Sequence, residues 1–139
     1  MYPYFLFFHS LTRWLVLSSL LYSLARGFRG LALKKAFTPV DDAVRHITAT
    51  IAHVQLVIGY FLYFEGPHPG LFFRVIHVSL MTLAIVLITA GSSLAKRQAA
   101  DRAKFRTMVL WFGLALLIIG AAIPWPFSPL AQRPYIRTL

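Results

Sequence analysis

From Gly70 to Ala95 the chain reads GLFFRVIHVSLMTLAIVLITAGSSLA, and Arg74 is its one charged residue. A helix needs about 20 mostly apolar residues to cross a bilayer, so this stretch predicts a transmembrane helix. Three further stretches read the same way: about Tyr4 to Phe28, about Asp42 to Phe64 and about Lys104 to Ile123. With the short connections between them, they predict one all-α integral membrane domain over residues 1–139. Its expected form is a four-transmembrane-helix up-down bundle with helices at about 4–28, 42–64, 70–95 and 104–123. Residues 124–139 read as a tail laid on the membrane surface.

Composition agrees. Of 139 residues, 58% are hydrophobic and 13% charged, where soluble domains carry about 25% charged residues. Mean hydropathy is +0.68. That excludes a water-soluble globular domain and intrinsic disorder. Cysteine is absent, which excludes disulfides, thiolate ligands, iron–sulfur clusters and a cysteine nucleophile. No dinucleotide fingerprint, phosphate loop or serine-triad pattern is present, so a stand-alone enzyme is not indicated.

The boundaries carry local signals. Thr38-Pro39-Val40-Asp41-Asp42 reads as a helix start, with acids suited to the free N–H groups and the dipole. Gly66-Pro67-His68-Pro69-Gly70 cannot continue a helix and predicts an antiparallel hairpin, with His68 a turn residue in water. Pro124-Trp125-Pro126 ends the fourth helix and places an aromatic at the interface.

The chain has 14 Lys+Arg against 4 Asp+Glu. The bases cluster in two loops: Arg26, Arg29, Lys34, Lys35 and Arg45 in one, and Lys96, Arg97, Arg102, Lys104 and Arg106 in the other. The positive-inside rule puts both loops in the cytoplasm and both termini outside it. The expected location is a bacterial inner membrane, with lipid as the partner of the positive charge. No basic face remains for nucleic acid once the spans are removed. The start lacks a basic n-region and a cleavage site, so it does not read as a cleaved signal peptide.

Ionisable groups at membrane depth are costly and are functional candidates by default. Here they are His9, Arg13, His46, His53, Arg74 and His77. His9 and Arg13 share one helical face, His46, Thr50 and His53 a second, and Arg74, His77 and Met81 a third. At about 1.5 Å of rise per residue, His9 lies roughly 8 Å and His77 roughly 10 Å below the outer surface, with His53 deeper at roughly 17 Å. His46 lies near the cytoplasmic face.

Two histidines at matching depth on different helices suit the axial ligation of a haem iron. His9 and His77 are the first choice, because helices one and three are diagonal in an up-down bundle. His53 with His77 is the second. Arg13 or Arg74 would bind haem propionates, and Gly59, Ala84, Ser79 and Ala115 would leave room for the macrocycle. Each residue also has a plainer reading. The histidines read equally as interhelical hydrogen-bonding groups. Arg13 snorkels or pairs with Glu65, Arg74 anchors the interface, and Met81 fills core. A lipid-exposed polar stripe is expensive, so His46, Thr50 and His53 are expected to face protein or cofactor. Trp111 and Gly113 read as packing residues.

Three runs are distinctive together: His9-Ser-Leu-Thr-Arg-Trp14, Arg45-His-Ile-Thr-Ala-Thr-Ile-Ala-His53-Val-Gln-Leu56 and Ile123-Pro-Trp-Pro-Phe-Ser-Pro129. With them the whole chain resembles a family of small four-helix bacterial membrane proteins labelled cytochrome B, found chiefly in Bacteroidota. The resemblance implies haem b, with His9, His53 and His77 in matching places. Members tend to carry an acidic residue beside the histidine of helix three. This chain has Ile76 there and departs from the pattern where a proton relay would run. A looser, architectural likeness exists to the four-helix membrane protoporphyrinogen oxidases.

The expected function is therefore that of a b-type cytochrome-like protein that takes part in electron transfer, with a quinone and respiratory-complex subunits as candidate partners. The alternative is a non-catalytic accessory subunit of a larger membrane complex, with the histidines as interhelical contacts. Haem biosynthesis and copper or zinc handling are weaker readings, the latter for want of Cys, Met-rich runs and nearby carboxylates.

Overall fold

The computed structural model describes residues 1–67, 70–135 and 137. His68 and Pro69, at the tip of the expected hairpin turn, lie outside the described residues. Four helices are long and apolar enough to cross a membrane: α1 (Tyr2–Ala32), α2 (Pro39–Glu65), α3 (His77–Arg97, entered through a π-helical turn, Phe72–Ile76) and α4 (Asp101–Ala122). All described regular structure is helical. The helices extend beyond the hydrophobic stretches at several ends, because caps and polar turns lengthen them without raising hydropathy.

Each boundary has a local cause. Pro3 sits in the first turn of α1, where its missing N–H is no loss. The helix closes at Lys34, whose φ of 50° is left-handed, and Lys35 N–H returns to Gly30 O at 3.0 Å. That is the Schellman pattern, with lysine where glycine is usual. A capping box starts α2: Thr38 Oγ1 accepts from Asp41 N–H at 3.3 Å, and Asp41 Oδ2 accepts from Thr38 N–H at 2.8 Å. This start lies three residues before Asp42, because Pro39 tolerates the first helical position.

Around the bundle, α1 packs on α2 and α4, and α3 packs on α2 and α4. Thus α1 and α3 face each other across the diagonal. The core runs through Leu20, Ala52, Ala84, Ile88, Phe112 and Ala115. Close contact depends on small residues. A Cβ at Gly30 would come within 2.5 Å of the Phe105 ring, and one at Gly91 would overlap Trp111. Trp111 is therefore a packing residue, held against α3.

The end of the bundle with the basic loops is polar and carries the two described ion pairs. Asp41, only 3% exposed, takes Arg26 Nε at 2.6 Å. Arg45, only 4% exposed, reaches Asp42 at 2.8 Å and donates to Ser92 O at 3.1 Å. One helical turn further in, the hydroxyls of Ser23 and Thr48 meet at 2.8 Å.

Candidate functional site

The other end, which holds the N-terminus and the described part of the tail, contains a cavity of about 320 Å³. His9, Arg13, Gln55, Gly59, His77 and Met81 line it from α1, α2 and α3, and the segment after α4 closes one side. The His9 and His77 rings are 6.4 Å apart centre to centre, with 70° between their planes. They meet across the diagonal between α1 and α3.

The setting of His77 follows from two prolines. In a helix the carbonyl of residue i accepts from the N–H of residue i+4, and proline has no N–H. Pro124 therefore leaves Gly120 O without its helical partner, and Pro126 does the same to Ala122 O. Buried carbonyls need donors. Trp125 Nε1–H supplies Gly120 O at 2.8 Å, and His77 Nδ1 supplies Ala122 O at 2.8 Å. A carbonyl only accepts, so Nδ1 carries the proton and the Nε2 lone pair of the neutral ring is free. That tautomer is the one an Nε2 metal ligand requires.

The π-helical turn lies immediately before His77, whose N–H bonds to Phe72 O. Such wide turns are frequent at functional sites. Phe72 and Phe73 stand 5.6 Å and 5.9 Å from the His77 ring, forming an aromatic wall on one side of it.

His9 is held through its backbone. Gln55 Nε2 donates to His9 O at 2.9 Å, and the Gln55 side-chain carbonyl accepts from Thr12 Oγ1. The His9 ring nitrogen Nδ1 is buried with no hydrogen-bond partner. Gly59 faces this ring, and a Cβ there would sit 3.2 Å from His9 Cε1. Arg13, one turn on, donates to Tyr135 O through its guanidinium while its buried Nε has no hydrogen-bond partner.

The other candidates are placed elsewhere. His53 is exposed on α2, and its Nε2 meets Thr89 Oγ1 at 2.9 Å. It does not line the cavity with His9 and His77. The stripe expected to face protein or cofactor points away from the core: His46 and Thr50 are exposed as well. Thr50 is satisfied locally by donating to His46 O at 3.0 Å. Arg74 is exposed and outside the cavity, because the π-turn separates it from the helical face of His77. Glu65 is exposed and takes no hydrogen bond from Arg13. Of the small residues expected to leave room, Gly59 lines the cavity, Ala84 and Ala115 are buried in the core, and Ser79 is exposed.

The described part of the tail is placed by long-range contacts. It folds in against α1, where Trp14 Nε1 donates to Tyr135 O at 3.1 Å. Trp125 stacks on Phe127, 5.9 Å away, and meets Trp14 edge to face at 6.0 Å. Arg133 N–H donates to Pro124 O at 3.0 Å. Arg133, Pro134 and Arg137 thereby line the cavity. The only sequence signal for this is the density of proline after α4: Pro124, Pro126, Pro129 and Pro134.

The spacing of the two rings is of the size that a haem iron between them would need. A metal–imidazole bond is about 2.0–2.1 Å, and a ring centre lies about 1.2 Å beyond its nitrogen, so two imidazoles on opposite sides of one iron have centres about 6.4 Å apart. The observed separation matches. The 70° between planes is compatible, since each ring is free to rotate about its own bond. The unpartnered His9 nitrogen and the free Nε2 of His77 are the groups such a ligand set needs.

No family model matches the chain, and no curated protein or solved structure is similar to it at a significant level.

Proposed function

We propose that this chain is a small b-type cytochrome-like membrane protein that holds one haem between His9 and His77. The observation that carries the reading is the 6.4 Å separation of the two histidine rings inside one cavity. Haem would supply one-electron transfer there. His77 would offer Nε2, kept in the right tautomer by its bond to Ala122 O. His9 would offer a nitrogen from the diagonal helix. Phe72 and Phe73 would exclude water on the His77 side. The α1 helix places Arg13 near the pair, and its positive charge favours the reduced form of a bound haem.

The positive-inside rule orients the bundle with both basic loops in the cytoplasm and the cavity toward the outer face. The membrane is a bacterial inner membrane on this reading, and a quinone and subunits of a respiratory complex are the partners it would exchange electrons with. The test is a dithionite-reduced minus oxidised visible spectrum of the purified protein, with pyridine haemochrome quantitation. A sharp α-band at about one haem per chain is expected. A flat spectrum from folded protein produced with ample haem overturns the reading.

One observation favours a second reading, an accessory subunit of a larger complex with no cofactor of its own. His46, Thr50 and His53 are exposed along one face of α2, and polar side chains facing lipid are costly. A partner helix laid there would cover them. Co-purification with a stable complex in mild detergent, with nothing coloured in the isolated chain, supports this reading over the first.

A further inference from the structure

The cavity holds a charge imbalance that the two histidines do not explain. Arg13, Arg133 and Arg137 all line it, and no Asp or Glu does so among the described residues. The described ion pairs, Arg26–Asp41 and Arg45–Asp42, are both at the opposite end of the bundle. Arg13 lies in the second half-dozen residues of a candidate membrane span, where a charged group calls for a counter-charge. Its hydrogen-bond acceptor is a neutral carbonyl, Tyr135 O, and its buried Nε has no partner. Arg133 lies 5.0 Å over the Phe73 ring, which positions the guanidinium without neutralising it. Arg13 is half-buried, and Arg133 and Arg137 are exposed at the rim; like charges around one space repel each other, and a bound anion lowers that repulsion. The rest of the lining is mainly apolar, with aliphatic side chains from all four helices.

We propose that Arg13, Arg133 and Arg137 form a carboxylate-binding site at the mouth of the cavity, completed by the inward fold of the C-terminal tail. Its ligand is an apolar planar molecule carrying two carboxylates, which enters with its acidic edge toward the tail. The choice of a porphyrin-like dicarboxylate rests on the haem reading above, whereas the anion site itself rests on the arginines. The tail is then part of the binding site, and Tyr135 O, gripped by Arg13 and Trp14, is the point that fastens it.

The test uses the full chain in detergent with two iron-free probes, protoporphyrin IX and its dimethyl ester, followed by porphyrin fluorescence. The acid is expected to bind at least about tenfold more tightly than the ester, as charge-assisted contacts to guanidinium require. Arg133→Gln and Arg137→Gln are each expected to weaken the acid by up to about tenfold and leave the ester unchanged. Arg13→Gln should do the same. Should Arg13→Gln fail to fold, the two tail variants decide the matter alone. Equal binding of acid and ester, or equal weakening of both by the tail variants, overturns the site. Displacement of the acid by equimolar oleate overturns the dicarboxylate assignment. His77→Ala is expected to keep iron-free binding. Failure of the two readings is thus separable. Tight binding of the acid without a histidine-ligated haem spectrum sinks the cytochrome reading alone. A normal haem spectrum with no preference for acid over ester sinks the carboxylate site alone.

Discussion

At the basic end of the bundle Arg26 meets Asp41 at 2.6 Å and Arg45 meets Asp42 at 2.8 Å. At the end that holds the N-terminus, Arg13 donates to a neutral carbonyl, and its Nε and His9 Nδ1 have no hydrogen-bond partner. At the basic end Phe105, 1% exposed, lies against Gly30 beside a smaller cavity of about 130 Å³. The other end opens into a cavity of about 320 Å³. Both ends belong to the same four helices, so the contrast is not one of architecture. At the basic end Arg26 with Asp41, Ser23 with Thr48 and Arg45 with Ser92 join neighbouring helices. At the other end two buried side-chain nitrogens, His9 Nδ1 and Arg13 Nε, have no such partner.

This contrast is open to attack from either end. The largest effect is expected at the cavity. His77→Ala should abolish the low-spin haem absorption while the helical circular dichroism is retained. A variant that keeps a full spectrum breaks the pairing of His77 with His9.

At the basic end, Asp41→Ala should destabilise the bundle and leave the haem spectrum of the folded fraction unchanged. The substitution strands Arg26 and removes the acceptor for Thr38 N–H. Breaking a buried pair costs about 3–5 kcal/mol, but the Arg26 side chain is 25% exposed, so about 2–3 kcal/mol is expected for this one. Thermal unfolding in detergent measures it. An unchanged midpoint would remove the basic end from its role in holding the fold.

A smaller effect is expected at Gly30. Gly30→Ala presses a methyl group into the Phe105 ring and should cost about 1–2 kcal/mol by the same measurement. Gly120→Ala is its control, since a Cβ there meets nothing within 4 Å.

The smallest effect sharpens the comparison. Pro126→Ala returns an N–H that competes for Ala122 O, the acceptor of His77 Nδ1. Loosening the partner of a ligand histidine weakens binding by about tenfold or more. Here the competition is partial, so a loss nearer to about threefold in haem affinity is expected. A titration that shows no change would mean that the prolines shape the chain and not the tautomer.

Four apolar stretches, the break at Pro124-Trp125-Pro126 and the cap at Thr38 to Asp41 were legible in the sequence, because hydropathy, missing N–H groups and capping chemistry act within one or two helical turns. His9 and His77 were legible as a pair from depth alone, since rise per residue converts position into height. Their separation was not, because it depends on how closely α1 and α3 approach across the diagonal. The outward turn of His53 was hidden for a related reason: which face of α2 meets the bundle is decided by Ala49 and Ala52 packing into the core. Arg74 was drawn toward His77 by helical periodicity, and the π-turn Phe72–Ile76 breaks that periodicity. Gln55 and the tail were the least visible. Their contacts join residues 46 and 122 positions apart, Gln55 to His9 and Tyr135 to Arg13, and no local rule reaches so far. By itself the sequence determined four apolar helices and the titratable groups they carry, because those follow from near neighbours. Tertiary structure alone decided which of these groups share a cavity and that the tail closes it, because helix rotation and the return of the chain depend on packing across the whole bundle.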